Sequence, residues 1–176
     1  MELALFGVVC VAAISIIWST LRFGISPMPT SGKVRALLVS DFFTPEQGGV
    51  IHELGAGWGT LAFAIARRCP RAKVVAHEGS LVPFLFCAVR RLVTGAKNVE
   101  LRFGDFLTAD LRDASGVVTY LLTGGMAQLA PKFDAELAAG AFVISHTFAW
   151  RGREPQKSVT AADLHRTPIY RYVISR

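Results

Sequence analysis

An open α/β sheet, mostly parallel and with helices on both faces, is the fold this sequence predicts, and three observations predict it. Short apolar runs alternate with amphipathic helical stretches along most of the chain. A glycine-rich turn, Gly55-Ala56-Gly57-Trp58-Gly59, falls between one such run and the next helical stretch. The length, 176 residues, suits one domain with a substantial core and is too short for two plus a linker.

Taken in order, the chain opens with residues 3–21, which contain no Asp, Glu, Lys or Arg. At about 1.5 Å rise per residue, such a run matches the roughly 30 Å hydrocarbon core of a bilayer. It also explains an apolar content of 52% and a mean hydropathy of +0.41, both high for a soluble domain. A single transmembrane helix within an anchor at residues 1–24 is the expectation, followed by one domain over residues 25–176. A buried helix or a cleaved signal peptide are the competing readings. Glu2 in the leading segment and the lack of a small-residue cleavage site weigh against the signal peptide. Arg22, Lys33 and Arg35 follow the span, so the positive-inside rule places the domain on the cytoplasmic side of a single-pass membrane protein.

Pro27 and Pro29 make residues 25–31 an extended linker, and Thr30 or Ser31 then caps a helix with Val34, Leu37, Leu38 and Phe42 on one face. Strands are expected at residues 50–54, 73–77, 99–103, 117–122 and 141–146, with helices at 61–68, 81–93 and about 126–137 between them. Residues 159–161 and 169–174 read as an antiparallel hairpin at the sheet edge. The net charge of +6 is spread along the chain, denser at Arg151, Arg153, Lys157, Arg166, Arg171 and Arg176, where it fits either lipid head groups or plain solvation. No nucleic-acid motif is recognisable. Cys10, Cys69 and Cys87 stand at no metal-binding spacing and read as reduced packing residues, so no metal site is expected.

Ligands of open parallel sheets bind at the carboxyl ends of the strands, where strand order reverses. The glycines of the Gly55–Gly59 turn let backbone approach a cofactor there. Glu78 closes the next strand, placed to accept hydrogen bonds from ribose hydroxyls, and Asp105 follows the third, placed for an adenine amino group. A dinucleotide fingerprint needs glycine at the sixth position from Gly55, but Thr60 stands there.

The actual pattern, Glu53-x-Gly55-x-Gly57-x-Gly59, is similar to motif I of class I methyltransferases that use S-adenosylmethionine (SAM). More narrowly, the chain resembles the membrane-anchored lysine methyltransferases related to the ATP synthase c-subunit lysine N-methyltransferase and its prokaryotic relatives. The resemblance rests on the apolar N-terminus, Pro27-Met28-Pro29-Thr30, Glu53 to Gly59, Gly104-Asp105, Tyr120-Leu121-Leu122, Leu129 to Lys132 and Ser145-His146. Two positions depart from it: Thr147 stands where members commonly carry Asp, and Trp58 where a small or acidic residue is usual.

The resemblance implies a Rossmann-like class I methyltransferase fold and SAM as cofactor. Glu53 would steady the loop and contact the cofactor's amine, with Pro29, Thr30, Gly55, Ala56, Gly57, Gly59, Glu78, Asp105 and Phe106 completing its site. The implied substrate is a lysine of a membrane protein, whose amine attacks the methyl group in line. A narrow apolar channel would favour the neutral amine. Tyr120 and Thr123, with Met126, Phe148 and Trp150, are candidates for its wall, and each reads equally as core. His146 reads first as a satisfied buried histidine and second as a pocket residue. Phospholipid head-group N-methylation and a SAM-binding module without catalysis are the alternative functions.

Overall fold

The computed structural model describes residues 30–121 and 123–175. The expected anchor at residues 1–24 and the candidate Pro29 lie outside the described residues, and within them no helix is long and apolar enough to cross a membrane. The elements in chain order are α1 (Gly32–Phe42), β1 (Gly49–Leu54), α2 (Thr60–Arg68), β2 (Ala72–Glu78), α3 (Leu81–Thr94) and β3 (Val99–Phe103). A 3-10 turn (Phe106–Thr108), β4 (Ala114–Thr119), α4 (Thr123–Glu136), β5 (Phe142–His146), β6 (Lys157–Thr160) and β7 (Pro168–Val173) follow.

One sheet runs in the order β3-β2-β1-β4-β5-β7-β6, with β1 to β5 parallel and β7 antiparallel to both neighbours. This is the mostly parallel sheet with a C-terminal antiparallel hairpin that the sequence predicts. Right-handed crossovers moving outward from β1 in one direction and from β4 in the other put their helices on opposite faces. Accordingly, α1, α2 and α3 share one core with Ile51, Val74, Val118 and Ile144, and α4 shares the other with Leu54, Val117, Val143 and Tyr172.

Local chemistry fixes the element ends. Ser31 caps α1, its Oγ accepting from Val34 N at 3.3 Å, and Gly95 ends α3 in the left-handed region at φ 63°. Asn98 ties the α2–β2 turn to β3, its Nδ2 donating to the carbonyls of Ala66, Cys69 and Ala72. In the hairpin turn, Asp163 accepts from both the amide and the hydroxyl of Thr167.

Two expectations need correction. β4 occupies Ala114–Thr119 rather than 117–122, so Tyr120 stands in the loop beyond the strand. α4 begins at Thr123 rather than near Met126, although Gly124 and Gly125 are poor helix formers. Packing decides the start: a Cβ on Gly125 would lie 3.2 Å from that of Leu121, so small residues let this first turn sit against the preceding loop.

Candidate cofactor and substrate site

Strand order reverses between β1 and β4, and the carboxyl ends of these strands carry the predicted site. The chain leaves β1 through Gly55, Gly57 and Gly59 at φ 81°, 54° and 68°, all in the region that side chains avoid. Gly59 caps α2 without a side chain to offer its exposed amides. Glu53 supplies the missing acceptor from inside β1, taking a backbone hydrogen bond from Ala62 in the first turn of α2.

Glu78 fastens the same loop from β2. Its Oε2 accepts from Gly57 N at 2.6 Å and its Oε1 from Ser80 N at 2.7 Å. The structure thus gives Glu78 a scaffolding part that strand-end position alone did not reveal, and each oxygen keeps a further lone pair for a hydroxyl. α3 grips the loop from outside, Cys87 Sγ meeting Gly57 O at 3.3 Å and Arg90 Nη1 donating to Trp58 O at 3.2 Å. Asp105 caps the 3-10 turn, Oδ1 accepting from Leu107 N at 2.9 Å, and Phe106 is buried beneath Gly55. Thr30 begins the described chain just before α1.

Two observations show that the residues fit a cationic, nucleoside-bearing cofactor. Glu53 Oε2 is buried without a hydrogen-bond partner, and burial, reinforced by the nearby Glu78, pushes this carboxyl up to about 8. A carboxyl so placed gains most from a bound ammonium. A Cβ on Gly57 or Gly104 would meet nothing within 4 Å, which leaves open space above both loops.

The candidate substrate side lies beyond the ends of β4 and β5. Tyr120 stacks on His146 with ring centroids 4.2 Å apart, and Phe148 flanks Tyr120 at 6.3 Å. His146 is buried and only half satisfied, its Nδ1 lying 3.5 Å from Thr147 Oγ1 while its Nε2 has no partner, and desolvation lowers its pKa to about 4. The reading of a satisfied histidine is therefore corrected. Thr119, at the end of β4, also buries an unpartnered hydroxyl. Met126 and Trp150 belong to the core under α4: Trp150 packs edge-on against Phe133 and Tyr172, and Met126 Sδ lies 3.8 Å from Ser145 Oγ. Thr123 is half-buried and lines a cavity of about 240 Å³ together with Met126 and Trp150. Tyr120 and Phe148 thus stand together, and Thr123, Met126 and Trp150 together line the neighbouring cavity.

The ANTKMT methyltransferase domain family matches residues 53–157, from the loop's leading acid to the first hairpin strand. The chain belongs to this family. A protein-lysine N-methyltransferase of Saccharolobus islandicus (strain REY15A) is 28% identical over 152 residues, covering 84% of this chain and 92% of the relative. The crystal structure of an RNA methyltransferase from Salinibacter ruber, bound to S-adenosyl-L-homocysteine, superposes with a TM-score of 0.75 at 28% identity, covering 85% of this chain and 95% of that one. A precorrin-6y C5,15-methyltransferase from Geobacter metallireducens GS-15, with a TM-score of 0.63 at 16% identity over 84% of this chain and 90% of its own, shares the fold. The protein is a SAM-dependent class I methyltransferase.

Proposed function

We propose that this methyltransferase modifies lysine side chains of a membrane-associated protein, working from the cytoplasmic side of the membrane that its N-terminal segment enters. The observation that carries the reading is the likeness, over 84% of this chain and 92% of the relative, to the protein-lysine N-methyltransferase of Saccharolobus islandicus. The apolar run at residues 3–21 and the cations after it support the membrane part.

The cofactor supplies a methyl group on a positively charged sulfur, already activated for transfer to a nucleophile. Glu53 and Glu78 would hold its amine and ribose ends, and the glycine loop would admit its backbone-hugging middle. The chain's remaining work is to orient an amine and keep water out. Tyr120 and Phe148 offer flat apolar faces to the aliphatic stem of a lysine. His146, uncharged near neutral pH because burial disfavours its cation, backs the Tyr120 ring without placing a positive charge beside the amine. Partial desolvation by these rings favours the neutral, attacking form of the lysine.

The likeness to the Salinibacter ruber enzyme favours a second reading, transfer to RNA. Incubating the full chain with methyl-labelled SAM and, separately, membrane protein, extracted lipid and total RNA distinguishes them. Label in lysine of the protein fraction is expected. Label confined to lipid or to RNA overturns the lysine reading in favour of that substrate.

A further inference from the structure

α3 holds the glycine loop with its inner face and leaves an apolar outer face uncovered. Leu81, Leu85, Phe86, Val89, Leu92 and Val93 are all exposed, Leu92 and Val93 at 80% and 82%. Spacings of four residues from Leu81 through Leu85 and Val89 to Val93 make this a continuous ridge along the helix. Scattered exposed leucines need no explanation, but a ridge of this length marks a contact surface.

Charge says which surface it meets. The three helices on this side of the sheet carry Lys33 and Arg35 on α1, Arg67 and Arg68 on α2, and Arg90 and Arg91 on α3. Lys33 is engaged with Ala162 O, Arg68 with Phe43 O and Arg90 with Trp58 O and the Phe63 ring, leaving Arg35, Arg67 and Arg91 against one helical acid, Asp41, which already pairs with Lys157 at 3.5 Å. The arginine-rich carboxyl-terminal stretch is less available: Arg153 pairs with Asp134 and Arg171 lies over the Phe142 ring. An apolar ridge on a helix that carries Arg91 and no acid, on the side of the sheet where Arg35 and Arg67 also stand, is the pattern of an interfacial helix on anionic lipid.

We propose that the α1–α2–α3 side of the domain docks on an anionic bilayer surface, with the outer ridge of α3 entering the head-group boundary. α1, the first described helix, packs on this same side of the sheet. Because Cys87 and Arg90 tie α3 to the loop at Gly57 and Trp58, the cofactor site is then held at the lipid surface. The inference rests on the reading that the chain works at a membrane, and it is independent of which amine is methylated.

The test places an environment-sensitive fluorophore at Leu92→Cys in the full chain carrying Cys10→Ser, reconstituted in vesicles of phosphatidylcholine with or without phosphatidylglycerol. Retained binding of S-adenosyl-homocysteine shows that the labelled chain is folded. A shift of emission to shorter wavelength in the phosphatidylglycerol vesicles is expected, reduced by Arg67→Glu with Arg91→Glu. Vesicle-bound protein whose emission does not shift overturns docking and leaves the membrane reading standing; protein that stays off vesicles overturns both. An equal shift in both vesicle types removes the anionic surface as the partner. A shift that grows with the protein-to-lipid ratio assigns the ridge to a second copy of the chain instead.

Discussion

Glu53 shows how one buried carboxyl links cofactor binding to pH. Burial raises its pKa to about 8, so at pH 7 the cofactor-free protein keeps a proton there that the unfolded chain has lost. The folded state therefore loses stability at this group as pH rises from the ordinary carboxylate range toward 8. A bound ammonium favours the carboxylate and expels the proton. SAM binding is expected to strengthen with pH through that window, by up to about tenfold per unit, and to release up to one proton. Calorimetry in two buffers of different ionisation enthalpy measures this; equal heats would show that Glu53 does not change state. Glu53→Gln should weaken binding and flatten its pH dependence. A second residue-scale effect lies at Thr147, a β-branched residue held at φ 76° at the end of β5, in a region that costs such residues energy. Thr147→Asn, which tolerates that backbone, should raise stability by about 1 kcal/mol in denaturant melts. The resemblance marks the same position as one where related chains commonly carry Asp, so the departure and the strain coincide.

At the scale of elements, the glycine loop separates two kinds of glycine that the sequence presents alike. A Cβ at Gly59 would fall 2.8 Å from Cys87 Sγ and 2.9 Å from the Phe63 ring, whereas one at Gly57 would point into open space. Gly59→Ala should therefore cost stability, roughly 1–3 kcal/mol from overpacking together with left-handed strain. Gly57→Ala, strained at φ 54° but meeting no neighbour, should cost less stability and weaken SAM binding, because its Cβ enters the space the cofactor needs. Comparing melting temperature with SAM titration for the two variants checks the contrast, and equal losses of stability would show the loop to be packed throughout. β1, the loop, Glu78 and Asp105 were legible because each is signalled by neighbours in sequence: an apolar run, a glycine cluster, an acid closing a strand. The start of α4 was not, since Gly124 and Gly125 argue against helix until Leu121 is packed beneath them. The outward face of α3 was hidden for the opposite reason, because a helix apolar on most of its circumference reads as core.

At the scale of the whole molecule, strand order brings together what no local pattern reveals. The Tyr120–His146 stack joins the ends of neighbouring β4 and β5, and His52, His77 and Asp113 meet because β1 lies between β2 and β4. His52 Nδ1 lies 3.0 Å from His77 Nε2, and its own Nε2 lies 3.0 Å from Asp113 Oδ1. Two imidazoles sharing one hydrogen bond cannot both be cations: one ring must accept from the other. Desolvation, opposed by Asp113, lowers the pKa of His52, while desolvation followed by repulsion from His52 and Arg102 takes His77 to about 4. His146 is lowered to about 4 by desolvation alone. A histidine whose folded pKa is depressed contributes stability above its unfolded value near 6.5, and that contribution disappears as pH falls through the folded value. The protein should therefore lose stability steeply between about pH 6.5 and 4, with protons taken up on unfolding by all three rings. His77→Gln should remove part of that dependence, because an amide can still meet His52 without titrating. The pH slope of denaturant stability measures the difference: a variant slope as steep as the parent's would mean that the pair at the centre of the sheet is not what acid breaks.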